Sequence, residues 1–355
     1  MIKTPAGIRW SCHGCGTCCT GHDLGPVEPA VIPRLIDAGI AEKWAPAADG
    51  WFEERTDGIF LRQVGGACVF LRPDKLCAVH ALVGADAKPG FCREFPYHFV
   101  DDPRGTVAVI RATCAGFYRS FRDGAELDPA TVEAAAALPR VAPRTRFAPA
   151  TVQALPGLDV PLDTWLDWEA AAIADLEAVG AAPPATQIGY VRDGIARRAG
   201  ITLAPPRPEQ YDAAVRALSF MLVRVLEAAL AAPGGQAHQV EFAQDCRALL
   251  IGAHEARIPG PLDDEALAWV DLLLRSQLLA RPWAAWGGLA EGLGVWLLGI
   301  EVAQRAIGRP VSPADLAAPL EAWERLVAIG VVGQWLRKAK VALIDLVMHA
   351  PAGQA

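Results

Sequence analysis

The sequence predicts an α+β protein in which a small, loop-rich N-terminal domain precedes a mainly α-helical bundle domain. Eight of the nine cysteines lie in the first 114 residues, among short segments typical of turns and strands. After residue 163, apolar residues recur at steps of three and four, which is the period of an amphipathic helix. A stretch rich in proline and alanine separates these regions, and proline interrupts long helices.

Length and composition fit two folded domains. The 355 residues exceed the usual size of one domain, and a hydrophobic content of 52% is enough for a buried core. We predict a cysteine-rich domain over residues 1–125, a Pro/Ala-rich linker over residues 126–162 and a helical domain over residues 163–355.

Charge and the N-terminal sequence argue against two classes of protein. The net charge is −7 and lysine and arginine form no cluster, whereas a nucleic-acid-binding protein needs a basic face. Residues 1–10 contain no apolar segment typical of a secretory signal. We therefore expect a cytoplasmic protein without a nucleic-acid partner, whose cysteines are reduced rather than paired in disulfides.

The first domain is predicted to contain short elements only. Residues 29–38 fit a short helix, and residues 51–64 fit a hairpin with its turn at Asp57-Gly58. The turn of a second hairpin is expected at Asp74-Lys75, and a strand is expected over residues 106–112. A unit with so small a core usually needs a further source of stability, which a bound metal can supply.

The second domain is predicted to contain six or seven helices. The segments are Thr164–Val179 with Asp163 as N-cap, Glu209–Ala231, Ala237–Ala256, Asp263–Leu279, Pro282–Ile307, Ser312–Ile329 and Gln334–His349. Residues 282–300 are almost free of charge and approach the length of a membrane span. Glu291 within this segment and the Glu301–Arg305 pair after it favour a buried core helix, so no membrane span is expected.

The cysteine pattern predicts a metal centre. Four thiols lie within eight residues, and four more follow: Cys12, Cys15, Cys18, Cys19, Cys68, Cys77, Cys92 and Cys114. Thiols gathered in this way in a reducing compartment are usually metal ligands. Two intervening residues allow a pair of thiolates to face the same side of a tight turn, whereas the adjacent Cys18 and Cys19 point in different directions. The spacing therefore favours two centres, or one centre and a spare reactive thiol.

Eight thiols can form two complete sets of four ligands. Zinc takes four thiolate or imidazole ligands, and a cubane cluster takes four thiolates. We predict an iron–sulfur cluster of the 4Fe–4S type, with zinc as the alternative. The histidines that could replace or assist a thiol are His13, His22, His80 and His98. His80 is the best placed because it follows Cys77 by three residues, whereas Cys246 lies in a predicted helix and is expected to be structural.

Five separated motifs carry a family resemblance. In chain order they are Cys12-x2-Cys15-x2-Cys18-Cys19, Cys68-x-Phe70-Leu71, Cys77-x-Val79-His80, Lys88-Pro89-x2-Cys92-Arg93-x-Phe95-Pro96 and Cys114-Ala115-Gly116. Their order resembles that of the CxxCxxCC family of zinc- or iron-chelating cysteine-cluster proteins over residues 8–117. Lys88-Pro89 stands where the family usually has Arg-Pro, and the gap between Cys77 and Cys92 is longer than in its short members.

The longer gap is similar to the flagellin lysine N-methylase branch of that superfamily, whose cysteine domain is also followed by a helical region. The first motif of that branch has wider cysteine spacing than the motif here. The resemblance implies an iron–sulfur or zinc domain and, if the chain is an enzyme, an N-methyltransferase-like one. Arg93 would offset the charge of the adjacent Cys92 thiolate and bind the cofactor. Its alternative role is a salt bridge with Glu94 or Asp101.

Three functions remain open on the sequence. The first is an iron–sulfur protein that modifies or senses a partner, in the manner of the methylase branch. The second is a structural zinc site that stabilises the first domain while the helices bind a partner. The third is a protein that carries iron or zinc. In the first two, the helical domain provides the contacts to a protein substrate or partner.

Overall fold

A computed structural model describes the chain over residues 2–20, 24–44, 50–111, 113–138, 144–231, 237–256 and 259–351, with the backbone alone at residues 41, 42 and 237–239. It divides into two compact units, Met1–Arg146 and Phe147–Ala355. The first unit combines short strands with short helices, and the second is mostly helical. The α+β class predicted from sequence is therefore confirmed. The predicted domain boundaries stay a prediction.

The first unit contains eight strands and six helices among its described residues. Its strands are β1 (Ile2–Lys3), β2 (Phe52–Arg55), β3 (Gly58–Leu61), β4 (Gln63–Val64), β5 (Ala67–Cys68), β6 (Tyr97–Asp102), β7 (Gly105–Ile110) and β8 (Thr145–Arg146). Its helices are α1 (Val31–Asp37), α2 (Ile40–Lys43), α3 (Ala78–Val83), α4 (Gly90–Glu94), α5 (Ala115–Arg119) and α6 (Pro129–Ala136). Each element is short, as the sequence predicts for this region.

Four of these strands form one sheet in the order β1-β7-β6-β8. Strands β6 and β7 form an antiparallel hairpin that begins with Tyr97 opposite Ile110, while β1 and β8 join in parallel. Strand β7 is buried at every position from Val107 to Ile110, so both of its faces are covered. The predicted strand over residues 106–112 is confirmed as far as Ile110, and Ala112 lies outside the described residues.

The predicted hairpin is present, with a shift in its turn. Strands β2 and β3 pair antiparallel with Arg55 opposite Gly58. The turn is therefore formed by Thr56 and Asp57 rather than by the predicted Asp57 and Gly58, because Gly58 already belongs to β3. The short helix predicted over residues 29–38 is confirmed as α1.

A second hairpin and a second turn follow in the chain. Strands β4 and β5 pair antiparallel, and β5 ends at Cys68. The chain turns at the predicted Asp74 and Lys75, where Lys75 has a positive φ of 65°. The second hairpin of strands is β4–β5, however, and this turn is closed by the isolated bridge between Leu71 and Cys77. The Asp74 carboxylate accepts a hydrogen bond from the backbone N–H of Leu76 at 3.1 Å, which stabilises this turn.

The second unit is a two-stranded hairpin followed by helices. The hairpin strands are β9 (Thr151–Leu155) and β10 (Leu158–Pro161). The helices are α7 (Leu162–Val179), α8 (Pro184–Ala199), α9 (Pro208–Ala231), α10 (Ala237–Glu255), α11 (Asp264–Ala280), α12 (Leu289–Ile307), α13 (Pro313–Ala328), α14 (Gly330–Lys338) and α15 (Lys340–His349).

The helical unit differs from the prediction at four places. Helix α8 was not predicted. The helix predicted over residues 282–307 is a 3-10 turn followed by α12, because Gly287 adopts a φ of 117° and breaks it. The helix predicted over residues 334–349 is two helices, α14 and α15. Helix α7 has Pro161 at its N-cap, so Asp163 lies in its first turn and does not cap it.

The segment predicted as a linker, residues 126–162, contains regular structure. It holds helix α6 and strands β8, β9 and β10. Asp128 caps α6, because its carboxylate accepts hydrogen bonds from the backbone N–H groups of Ala130 at 3.3 Å and Thr131 at 3.0 Å. Strand β10 leads directly into α7.

Helix α12 is the most completely buried element of the second unit. Every residue from Leu289 to Arg305 is buried, as expected for a core helix. Its buried Glu301 accepts hydrogen bonds from the Tyr211 hydroxyl at 2.7 Å and from Nε of Arg305 at 3.1 Å. Within the described parts of the chain, no helix combines the length and the apolar character that a membrane crossing requires.

Candidate metal centre

A hydrophobic core in the first unit gathers thiols from separate motifs. This core is built from α1, α3 and the strands that precede α3. Cys68 belongs to it and is only 6% exposed. Cys19, Cys77 and Cys92 pack against the same core from other segments of the chain. Four motifs that are far apart in sequence therefore contribute thiols to one region.

The first motif reaches this region through a short 3-10 turn, Thr17–Cys19. Gly16 begins the turn with a φ of 75°, and its carbonyl accepts a hydrogen bond from the Cys19 N–H at 2.8 Å. A β-carbon at Gly16 would lie 3.1 Å from Cβ of Lys75. Both the left-handed backbone and this close contact favour glycine here.

Two isolated β-bridges hold the motifs in place. Thr20 pairs with Ala67, which sets the end of the first motif beside β5 and Cys68. Leu71 pairs with Cys77, which closes the loop between the second and third motifs. Backbone pairing at both points fixes the thiols by main-chain hydrogen bonds as well as by side-chain packing.

Cys92 is carried by the short helix α4. The first N–H of this helix, from Gly90, donates to both carboxylate oxygens of Glu28, at 2.9 and 3.1 Å. An anion at a helix N-terminus satisfies backbone donors that lack a helical partner. Glu28 thus anchors the helix that presents Cys92, a role that the sequence did not reveal because the two residues are 62 positions apart.

Four of the thiols lie close enough to affect one another electrostatically. Burial, with smaller contributions from the neighbouring Cys77 and Cys18, raises the pKa of the Cys68 thiol to about 11. Burial also raises the pKa of Cys92 well above its ordinary value, and Cys68, Cys77 and Cys18 act in the same direction. A thiol that is buried among other thiols is disfavoured as a thiolate unless a cation balances its charge.

Cys18 and Cys19 behave as a pair. Their Sγ atoms lie 3.9 Å apart. The hydrogen bond between them lowers the pKa of Cys18 and raises the pKa of Cys19, so Cys18 loses its proton first. The Lys88 ammonium lowers the pKa of Cys18, Cys68 and Cys92, so its positive charge favours the thiolate form of all three.

Cys114 has different neighbours. It precedes helix α5 and is buried, with 6% of its surface exposed. The indole N–H of Trp10 donates to Cys114 Sγ at 3.3 Å. Burial raises the pKa of Cys114 to about 11, the Trp10 hydrogen bond opposes this, and the neighbouring Cys15 thiol adds to the rise. Cys114 is therefore in contact with the segment that leads into the first motif.

The segment before Cys12 is tied to the chain around α5. The Trp10 N–H donates to the Ala125 carbonyl at 2.9 Å, and the Ser11 N–H donates to Oγ of Ser120 at 3.0 Å. The Ala125 N–H in turn donates to Oγ of Ser11 at 3.0 Å. These bonds fix the residue immediately before Cys12 beside helix α5, close to Cys114.

The remaining candidate residues are Arg93 and the histidines. Arg93 forms an ion pair with Asp86, in which Arg93 Nη2 lies 3.1 Å from Asp86 Oδ1. The partner in this ion pair is therefore neither Glu94 nor Asp101, the two that the sequence suggested. Cofactor binding by Arg93 stays a prediction. His13 and His80 are exposed, and His22 lies outside the described residues.

His98 and Cys246 lie in regular elements, β6 and α10. His98 in β6 is half-buried, and burial with the nearby Arg111 lowers its pKa to about 4, so it is a neutral imidazole at pH 7. Cys246 is buried in α10 of the second unit.

The candidate side chains do not surround a common point within the described residues. Within the described part of the chain, no three Cys, His, Asp or Glu side chains stand where they could hold a metal ion together. The packing and the electrostatic coupling nevertheless bring thiols of different motifs into one region. Metal coordination by each of the eight cysteines therefore stays a prediction.

Comparison with known proteins finds a family model that this segment matches. Residues 11–115 match the model of the CxxCxxCC family, described as a "putative zinc- or iron-chelating domain". The matched segment contains all eight of the N-terminal cysteines and confirms the resemblance found in the motifs. No curated protein and no solved structure matches the chain significantly. The first unit is thus similar to zinc- or iron-chelating cysteine-cluster domains.

Proposed function

We propose that the first unit binds an iron–sulfur cluster of the 4Fe–4S type through its cysteine thiolates. The observation that supports this proposal is a group of five neighbouring thiols, Cys18, Cys19, Cys68, Cys77 and Cys92. Five thiols are enough for the four ligands that either a structural zinc ion or a 4Fe–4S cluster takes. Thiolates are the ligands that hold iron–sulfur clusters.

The donor set fits such a cluster chemically. The group named above consists of cysteine thiols alone. Cys68 and Cys92 are held as neutral thiols by burial, so a bound cation must displace their protons. Lys88 favours this deprotonation and offsets part of the resulting negative charge. When bound, an iron–sulfur cluster supplies one-electron redox chemistry and cross-links the segments that carry its ligands.

The role of the second unit is also a proposal. We expect the helices to contact a protein substrate or partner, and a lysine N-methylase-like activity stays a prediction that follows from the motif resemblance alone. Zinc is the alternative cofactor, with a stabilising role for the first unit. A carrier of iron or zinc is the remaining alternative.

Anaerobic purification of the full chain tests the proposed cofactor. We expect a brown protein with broad visible absorption, bound iron and acid-labile sulfide in similar amounts. The Cys92→Ala variant should lose most of this iron, because Cys92 is packed among the other thiols. The control is Cys246→Ser, which changes a thiol of the second unit and should retain full iron.

Two results would contradict the iron–sulfur proposal. A colourless protein with stoichiometric zinc would indicate the structural zinc alternative. Metal that a chelator removes while the circular dichroism spectrum stays unchanged would indicate a carrier, because loss of a structural site also removes fold stability.

A further inference from the structure

We infer that the second unit binds a primary ammonium group at the N-terminal end of helix α12, beside Gly288. The site consists of three oxygen atoms, which belong to the Glu291 carboxylate, the Gln153 side-chain amide and the Gln153 backbone carbonyl. This inference goes beyond the proposed function, because it concerns the second unit and does not depend on the cofactor of the first.

Glu291 is a buried carboxylate without a partner. It lies in the first turn of α12 and is 5% exposed. Among the residues that the structure describes, none donates a hydrogen bond to this carboxylate and none forms an ion pair with it. Buried Glu169 and Glu301 in the same unit, by contrast, each accept a hydrogen bond from an arginine. Burying a carboxylate costs free energy unless a donor satisfies it, so Glu291 requires a donor that the described chain does not supply.

The carboxylate folds back over the two glycines that precede the helix. A β-carbon at Gly288 would lie 2.8 Å from Glu291 Oε2, and one at Gly287 would lie 3.9 Å from Glu291 Oε1. The same point beside Gly288 lies 3.0 Å from Gln153 Oε1 and 3.1 Å from the Gln153 carbonyl oxygen. Three acceptor oxygens from β9 and α12 therefore face one small volume next to Gly288, which has no side chain to fill it.

An ammonium group matches this arrangement of acceptors. It carries a positive charge and three N–H donors, and it has no acceptor atom. Each N–H has one oxygen to donate to, and the Glu291 carboxylate balances the charge. A guanidinium group presents its donors in a planar fork, which suits two parallel bonds to one carboxylate. Three oxygens on separate groups therefore favour an ammonium over a guanidinium.

The surroundings of the site favour the arrival of a cation. Gly287 is exposed, and Gln153 and Trp286 are partly exposed, so the chain around the three oxygens is open to solvent. Residues 147–355 contain 16 basic and 23 acidic residues, whereas residues 1–146 contain 17 of each. The negative net charge of the protein therefore belongs to the second unit, and it attracts cations.

Titration of the full chain with n-butylammonium, followed by nuclear magnetic resonance of the ligand, tests the site. We expect saturable binding. Tetramethylammonium has the same charge but no N–H donor, so it should bind more weakly by about tenfold or more. This comparison uses the wild-type chain and therefore does not depend on the folding of any variant.

A peptide with one lysine and an acetylated N-terminus distinguishes the two sources of an ammonium group. It should displace n-butylammonium from the chain. Tighter binding of the peptide by about tenfold would assign the site to a lysine side chain of another protein. Equal or weaker binding of the peptide would assign it to a small amine.

Two variants test the position of the site. Gly288→Ala places a methyl group in the volume that the three oxygens face and removes none of them. The φ of Gly288 is −163°, an extended conformation that alanine adopts. Glu291→Gln removes the charge. Each variant should weaken n-butylammonium binding by about tenfold or more, and circular dichroism checks that each is folded.

The matched control is Glu241→Gln, which removes an exposed carboxylate from α10 of the same unit. Its affinity for n-butylammonium should stay within about twofold of wild type, as expected for a single distant surface charge. An equal loss in Glu241→Gln and Glu291→Gln would show a general attraction of the acidic unit for cations and would overturn the inference.

Two further results would also overturn it. One is a wild-type chain that binds neither n-butylammonium nor the lysine peptide, as expected if the Gln153 amide is turned to donate to Glu291 itself. The other is unchanged binding by folded Gly288→Ala. None of these measurements depends on bound iron or zinc, so their failure leaves the proposed function of the first unit in place, and loss of that function leaves this site in place.

Discussion

At the scale of single residues, breaking a buried ion pair in the second unit is expected to lower the free energy of unfolding strongly. The Arg281 guanidinium donates two hydrogen bonds to the Glu169 carboxylate, from Nε to Oε1 at 2.8 Å and from Nη2 to Oε2 at 2.6 Å. Both side chains are less than 5% exposed. The Arg281 guanidinium also lies 4.9 Å from the ring centre of Phe147. Removal of the Glu169 carboxylate leaves the Arg281 charge buried without its oppositely charged partner.

We therefore expect Glu169→Gln to lower the free energy of unfolding by about 3–5 kcal/mol. Denaturant unfolding followed by circular dichroism measures this change. The control is Asp175→Asn, which removes the partner of the more exposed Arg198 and should cost about 0–1 kcal/mol. Equal losses in both variants would show that burial does not decide the energy of these pairs.

The sequence predicted the thiols of the candidate site but not the residues that position them. Cysteine spacing is visible along the chain, and the matched segment contains all eight cysteines. Trp10 and Cys114 are 104 residues apart, and Glu28 and Gly90 are 62 apart. Neither pair has a local pattern, because the contacts exist only after the chain has folded.

At the scale of elements, helix α12 depends on glycine for its close packing. A β-carbon at Gly294 would overlap the carbonyl oxygen of Leu343 in α15, and one at Gly292 would overlap the backbone of Trp283. A β-carbon at Gly299 would lie 2.5 Å from the ring of Trp323 in α13. Neighbouring elements therefore approach α12 where it lacks side chains.

Gly294→Ala should destabilise the second unit by about 1–3 kcal/mol or more, because backbone atoms of α15 must move to admit the methyl group. Thermal unfolding of the full chain measures the effect. Gly252→Ala in α10 is the matched control, since its β-carbon would lie 3.5 Å from Ala306, an ordinary contact. That variant should be neutral or more stable, by up to about 1 kcal/mol from helix propensity. Destabilisation of similar size in both variants would contradict the packing argument.

Helix α8 shows why some elements escape prediction from sequence. Its buried face includes Gln187 and Arg192, and these polar residues interrupt the apolar period that predicts a helix. Arg192 is buried because its guanidinium donates to the carbonyl groups of Val347, Met348 and Ala350, at 3.1, 2.9 and 2.7 Å. It satisfies the last carbonyls of α15, which lack helical partners. Helix α9 has a regular apolar face and was predicted.

At the scale of the whole molecule, the two units should respond differently to loss of metal. The candidate ligands all belong to the first unit, while the second has its own core around α12. Metal binding stabilises only the state that holds it. Chelation should therefore lower the unfolding temperature of the first unit and leave the transition of the second unit in place.

Differential scanning calorimetry of the full chain, before and after anaerobic chelation, measures both transitions. Restoring the metal should restore the first transition, which serves as the control for irreversible damage. If both transitions fall by the same amount, the units unfold as one and the expectation is wrong.

The hydrogen bond between Ser11 and Ser120 has a consequence for biosynthesis. Its two residues are 109 positions apart, so it joins an early part of the unit to a much later one. All eight candidate thiols have been translated once Cys114 is added, shortly before Ser120. The segment that leads into Cys12 is therefore fixed only after the last candidate thiol has been made, so we expect the first motif to complete its fold late in the synthesis of this unit.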